Sequence, residues 1–370
     1  MSERFAGWEQ GIFYIGCYGN RARITLYTAQ MNKETGELSI VQKVRGVDNA
    51  SFLALHPNGK TLYAAKEIGK ADGTAGGKIA AVAVDPESGL LGEVTSIAST
   101  VGAHPCYVSV NEKGTALYAA NYSGGKKGGN IALLPLLKDG SVAEAVAVMQ
   151  HESEPGPVED RQQKPHAHFV ASWPGTPFVY AADLGMDAVV VYEHSEESQT
   201  LVKKQEASLQ GGTGPRHIAF HPRLAVAYVT NELASSITRL NLDRETGLIT
   251  PGETYSTLPI GYSKYNDSAD IHFSSDGKFL YTSNRGHDSI AVYSVDESNG
   301  TLTPIQHISS GGELPRNFGI TPDGNFLLAA NGNSNNIVVF RRDQEKGTLT
   351  ATDHHLKIKI PVCIRFAHQE

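Results

Sequence analysis

A short apolar strand ending in a small pair recurs seven times along this chain, and no other feature narrows the fold as much. Six copies read LYAAKE (62–67), LYAANY (117–122), VYAADL (179–184), AYVTNE (227–232), LYTSNR (280–285) and LLAANG (327–332), and a diverged first copy reads FYIGCY (13–18). Their anchors are Tyr14, Tyr63, Tyr118, Tyr180, Tyr228, Tyr281 and Leu328, spaced 47 to 62 residues apart. That period is the length of a four-stranded propeller blade. Upstream of the anchors stand tight turns such as HPNGK (56–60), NEKGT (111–115), SSDGK (274–278) and TPDGN (321–325). Asn-Gly and Asp-Gly pairs supply the positive φ that a hairpin turn needs. Before these turns lie alternating strands: SFLALH (51–56), CYVSVN (106–111), RHIAFH (216–221), DIHFSS (270–275) and RNFGIT (316–321). Downstream follow a third strand, such as IAVYSVD (290–296), then a glycine turn and a fourth. Four hairpin-linked strands per copy make one blade. The expected fold is therefore all-β, a seven-bladed β-propeller with four-stranded antiparallel blades.

The ends of the chain are out of phase with the repeat. It opens on the second strand of a blade and finishes with IPVCIRFA (360–367), which reads as a lone first strand. Pairing the last strand with the first three closes the ring and removes the exposed edges of an open array. No linker divides residues 1–370, which are expected to form one propeller domain. The stretch HESEPGPVEDRQQKP (151–165) reads as a polar loop inserted over one face. GGKKGGN (124–130) reads as a flexible hairpin, because no helix follows it to make a phosphate-binding loop.

Charge and cysteine usage exclude several classes. The formal net charge is −7, without the basic excess of a broad nucleic-acid surface. Cys17, Cys106 and Cys363 are three, far apart and without CxxC spacing, which fits reduced thiols rather than a disulfide frame or a zinc site. MSERFAGWEQ lacks a charged-then-apolar signal pattern, and no apolar run reaches membrane-spanning length. A cytoplasmic location, with neither membrane nor nucleic-acid partner, is the expectation. No cofactor motif is present, so no cofactor and no metal are expected. His166 and His168 form an HxH on one strand face, but no carboxylate or cysteine set stands beside them. Nothing in the sequence speaks to oligomeric state.

Aligning the copies gives two columns and a ring. Three residues after each anchor stand Cys17, Lys66, Asn121, Asp183, Asn231, Asn284 and Asn331. This Asn-rich column is expected to be structural, since Asn tolerates the left-handed region and bonds its own turn. One residue further on, Tyr18, Glu67, Tyr122, Leu184, Glu232, Arg285 and Gly332 vary in type, and turn chemistry explains Glu232 and Arg285 poorly. The starts of the first strands collect His166, His168, Arg216, His217, Asp270, His272, Arg316 and Asn317. First strands line the channel of a propeller, so both sets reach one mouth. Converging charges there suggest a small-molecule site, with Arg for an anionic group and His or Glu for proton transfer. His56 and His221 precede Pro in turns and read as structural.

At KPHAHF (164–169), GTGPRHIAFHP (212–222), YVTNE (228–232), LYTSNRGHDSIAVY (280–293) and PRNFGITPDG (315–324) the chain resembles the seven-bladed lactonase family. That family includes bacterial cycloisomerase-2-type 6-phosphogluconolactonases and the fungal carboxy-muconate lactonizing enzyme, and the resemblance covers essentially the whole chain. It implies a site of one His, two Arg and one Glu, carried here by His168, Arg216, Arg285 and Glu232, with His166 the alternative histidine. His217, Asp270, His287, Arg316 and Asn317 match motif positions expected, like His166, to shape the substrate pocket. The implied reaction is hydrolysis of 6-phospho-D-glucono-1,5-lactone, an anionic small molecule. One arginine would stabilise the oxyanion and the other hold the phosphate. His168, Glu232 and His217 stay open as acid and base. Two alternatives remain: cyclisation of a carboxylated muconate by the same residue types, and a non-catalytic interaction platform, whose mark would be an exposed apolar patch on the opposite face.

Overall fold

The computed structural model describes residues 7–19, 23–71, 74–124 and 129–368 of the chain. Residues 125–128 of the glycine-rich stretch lie outside them. The strands form seven four-stranded antiparallel sheets plus the small hairpin of Lys70–Ala71 and Thr74–Ala75. The inner strands are Ala50–Leu55, Ala103–Val110, Ala167–Ser172, Pro215–Phe220, Asp267–Phe273, Pro315–Ile320 and Pro361–Phe366. Each touches the next in cyclic order, and Pro361–Phe366 also touches Ala50–Leu55, so the ring is closed. Closure works as the frame shift of the repeats requires. Pro361–Phe366 pairs with Ile12–Cys17, which is followed outward by Leu26–Met31 and Leu38–Val44. Among the described residues no helix is long and apolar enough to cross a membrane.

The core lies between the blades. Seven apolar clusters each draw on two neighbouring blades, as Phe13, Ile15, Phe326, Leu328 and Ile337 do between the blade that closes the ring and the one before it. A second strand packed on both faces has no solvent side, and so it reads as a continuous apolar run. Thr61–Lys66, Phe178–Asp183 and Phe326–Asn331 are buried at every position. Fourth strands such as Leu91–Ser99 face water on one side and alternate accordingly.

The anchor tyrosines join blade to blade. The hydroxyls of Tyr14, Tyr63, Tyr180 and Tyr281 donate to the carbonyls of Gly89, Gly140, Gly247 and Gly347 in the outer hairpin of the next blade, at 2.7–2.9 Å. Tyr228 does the same to Gly300. Each of these glycines has positive φ, which fits the turn that presents the carbonyl. At the third interface the next blade has Gln199 in place of that glycine, and Tyr118 bonds His194 Nδ1 instead, at 2.8 Å. Tyr180→Phe removes one hydroxyl and leaves the buried Gly247 carbonyl unpaired. It is expected to lower stability by about 1–2 kcal/mol without changing turnover, read from the urea midpoint.

The asparagine column is structural, and part of the expected route holds: Asn121, Asn231 and Asn284 donate within their own hairpins to Gly129 O, Ser236 Oγ and Ser289 Oγ. None of its asparagines has positive φ. Asn121, Asn284 and Asn331 reach sideways, donating to Thr100 O, Thr257 O and Ser310 O in the loops that cross from the preceding blade. The left-handed positions come four residues after the column, at Asp187, Ser235, Asp288 and Asn335. His56 and His221 are structural as expected. Each accepts a backbone N–H at Nδ1, so the Nε2 proton is donated to Gly114 O and Gly277 O of the neighbouring blade.

Candidate active site

The first strands do not alternate cleanly where they enter the channel. In every blade the register against the second strand slips at this end. Ala167 pairs with Asp183 but Phe169 with Ala182, leaving His168 extra. Arg216 and His217 together oppose the single residue Thr230 between Pro215 and Ile218, Asp270 lies in the slip between Ser268 and Ile271, and Arg316 in that between Pro315 and Asn317. A bulge breaks the period-two alternation and re-aims its side chains. The ring of polar residues is thus a ring of bulges. His166 and His168 consequently do not share a strand face by simple alternation, as their HxH spacing suggested. His166 precedes the strand, stacks on Tyr122 at 4.3 Å and places Nδ1 2.8 Å from Tyr122 O.

Glu232 follows the second strand of its blade, and Arg285 ends the second strand of the next. Glu232 Oε2 stands 2.9 Å from Arg216 Nε and 2.8 Å from Arg285 Nη2. Oε1 is held by Arg161 Nη2, from the inserted loop. Arg216 is buried, and its Nη1 donates to Ala269 O at 2.7 Å. Arg285 Nη2 also donates to Ser268 O at 3.2 Å. Burial opposes ionisation of Glu232, but the Arg285, Arg216 and Arg161 guanidiniums outweigh it and hold the carboxyl far below the usual carboxylate range. Glu232 is an anion with little proton affinity. Burial, with Arg316 and Arg285 nearby, pushes the Arg216 guanidinium down to about 9, which still leaves a cation at neutral pH.

His217 lies on the channel wall beside Arg216. Its Nδ1 donates to Asp270 Oδ1 at 2.8 Å, so Nε2 carries the lone pair that faces Arg216 Nη1 at 3.2 Å. Burial first, then Arg216, lowers the His217 pKa to about 3, so it is neutral. Asp270 is also fixed by His272 Nε2 at 2.9 Å and by Asn317 Nδ2. With that many bonds His217 and Asp270 form a wall rather than a free acid or base. Phe52, Tyr107 and Phe169 pack against each other and against the His217 ring, making an aromatic floor.

His168 faces the same space, its ring 5.2 Å from that of His217 and 5.8 Å from that of Tyr122. Burial, then the Arg216 charge, lowers its pKa well below the ordinary histidine value. His168 Nδ1 and Arg285 Nε are buried without a hydrogen-bond partner, whereas Arg216 Nε is paired with Glu232. An unpaired buried polar atom costs about 1–3 kcal/mol, and both fit a site that a polar ligand completes. Arg316 lies over the Tyr18 ring at 5.4 Å, and Tyr18 donates to Glu67 at 3.0 Å.

Of the predicted residues, Arg216, Glu232 and Arg285 are in direct contact, with His168, His217, Asp270, Asn317 and Arg316 around them. His287 bonds Ser289 Oγ through Nδ1 at 2.7 Å, and its ring packs on Tyr262 and His307. Sequence reasoning missed Arg161, and with it Asp267, whose Oδ2 lies 3.5 Å from Arg161 Nη1 and accepts from the Tyr265 hydroxyl at 2.5 Å. Arg161 is in no repeat copy, and its only signal was an inserted loop leading into KPHAHF. Among the described residues no group of three or more His, Cys, Asp or Glu side chains is placed to hold a metal ion.

Comparison with known proteins agrees with this architecture. The family described as "Lactonase, 7-bladed beta-propeller" matches residues 12–366. A 6-phosphogluconolactonase of Bacillus subtilis is 34% identical over 360 residues, covering 97% of this chain and 99% of its own. One of Formosa agariphila is 32% identical over 318 residues, covering 84% and 86%. The solved periplasmic gluconolactonase of Pseudomonas aeruginosa superposes with a TM-score of 0.89 at 30% identity, covering 97% and 99%. With a matching fold, closure and full-length similarity, the chain belongs to the seven-bladed β-propeller lactonase family.

Proposed function

We propose that this protein hydrolyses 6-phospho-D-glucono-1,5-lactone to 6-phosphogluconate, in the cytoplasm, at the mouth that holds Glu232. The observation that carries the reading is the pairing of a buried neutral imidazole, His168, with a cluster in which guanidiniums outnumber carboxylates. Attack of water on the lactone carbonyl puts negative charge on its oxygen. Arg216 and Arg285, fixed on Glu232 and on backbone carbonyls, present N–H groups to that charge without reorganising. His168 takes the proton of the attacking water. The imidazolium so formed returns it to the ring oxygen as the C1–O5 bond breaks. One histidine thus serves as base and then acid, and Glu232 orients the arginines. His217, Asp270 and Asn317 hold the wall behind them, and His166 and Arg316 line the approach.

An unphosphorylated gluconolactone is a second reading, favoured by the name of the Pseudomonas relative. The excess positive charge argues for the phosphorylated ring. The test is lactone opening with freshly generated 6-phosphoglucono-1,5-lactone and with glucono-1,5-lactone, after subtracting the uncatalysed rate. Faster turnover of the phosphorylated ring at low concentration is expected. A preference for the neutral ring would favour the second reading, and acceleration of neither would end both.

A further inference from the structure

The arginines on Glu232 differ in what else binds them. Arg216 and Arg285 are buried and also tied to backbone carbonyls. Arg161 keeps 30% of its side chain exposed and reaches in from the loop between the third and fourth blades, to Glu232, to the Tyr122 hydroxyl and, at 3.5 Å, to Asp267. The loop itself is pinned. At its start, buried His151 bonds Asp183 Oδ2 and the Tyr192 hydroxyl, both at 2.6 Å. Next to Arg161, fully buried Gln162 donates to Leu184 O at 2.8 Å and accepts from Val158 N at 3.2 Å. Lys164 then donates to Ser123 O at 2.9 Å. A pinned backbone thus carries a partly exposed cation whose tip can change partner by side-chain rotation alone.

The charges favour such a change. Arg161, Arg216 and Arg285 outnumber Glu232 and Asp267 by one, three against two. A phosphoryl group offers three acceptor oxygens and up to two negative charges, more than the single oxygen of Glu232 that Arg161 holds. Glu232 would still keep two guanidiniums.

We propose that Arg161 is the residue that selects a phosphorylated lactone. The phosphoryl group draws its guanidinium away from Glu232, and Glu232 Oε1 becomes free to hold the sugar hydroxyls. This deepens the lactonase reading above and rests on it. It predicts that charge recognition resides in the loop and that turnover resides in the channel.

The test compares wild type, Arg161→Gln and Arg161→Lys on 6-phosphoglucono-1,5-lactone and glucono-1,5-lactone. Calorimetric binding of 6-phosphogluconate and gluconate is measured alongside. Arg161→Gln is expected to raise KM for the phosphorylated lactone by about tenfold to a hundredfold. Its kcat should stay within about threefold, and KM for the neutral lactone should not rise, because Glu232 Oε1 is then free for the sugar hydroxyls. Arg161→Lys should retain part of the discrimination. Equal losses on both lactones, or none on either, would overturn the proposal and leave Arg161 a loop fastener. If wild type opens neither lactone, the lactonase reading itself fails, and calorimetry decides alone. Preference for the phosphorylated acid that vanishes in Arg161→Gln supports selection by Arg161. Preference that persists, or is absent from wild type, sinks it.

Discussion

Glu232→Gln is expected to cost about 3–5 kcal/mol of stability and to lower kcat by at least about a hundredfold. Removing one partner of a buried ion pair leaves the other charge uncompensated, and the cost is of that size. Here one carboxylate compensates three guanidiniums, and Arg216, the most enclosed, has Arg285 and Arg316 as like-charged neighbours. The amide keeps the shape of the side chain and removes its charge. The arginines then repel one another and leave the positions from which they meet the oxyanion, and loss of a single such donor lowers kcat by about 100- to 1,000-fold. Urea unfolding and kcat, measured on one preparation, check both numbers. An unchanged midpoint with collapsed kcat would mean that Glu232 acts in the chemistry and not through the arginines.

Much of this was legible in the sequence because the propeller repeats. Each anchor tyrosine has the same task, a bond to the next blade, so its recurrence counted the blades. The frame shift of the ends disclosed the closing seam, because an unpaired edge is costly. Glu232 and Arg285 stood out as charged residues in a column of turn positions. Other parts depended on contacts that repetition does not encode. The bulges at the channel end of each first strand leave no mark in an alternating pattern, so His166 and His168 read as sharing a face. Asn121, Asn284 and Asn331 also bond to loops of the preceding blade, which a local turn argument cannot anticipate. Arg161 belongs to a loop outside the repeat, and only tertiary structure brings it to Glu232. His287 matched a family motif but turns to Ser289 and Tyr262.

His168→Gln should separate chemistry from scaffolding. As the proton carrier, His168 is expected to contribute about 100- to 10,000-fold to kcat, and its loss should leave KM within a few-fold. The pH dependence tests the same assignment. Burial and the Arg216 charge lower the His168 pKa, so the imidazole stays unprotonated, and available to accept a proton, as the medium is acidified below the ordinary histidine value of about 6.5. Wild-type kcat/KM should therefore hold between about pH 7 and pH 6, where an unshifted imidazole base would already be losing activity. The same shift has a thermodynamic sign. Below about pH 6.5 the unfolded chain binds a proton at this histidine that the folded protein resists. Stability then falls with pH by up to about 1.4 kcal/mol per unit for this group, until the lowered folded pKa is reached. Buried neutral His217, lowered to about 3, adds a slope of the same sign. Urea midpoints measured between about pH 7 and pH 5 should show a shallower acid loss in His168→Gln than in wild type. A kcat/KM midpoint at or above about 6.5 that survives the substitution would remove His168 from the proton transfer. Asp270 is committed to His217, and Glu232 to Arg216 and Arg285, so neither is placed to take over the proton transfer.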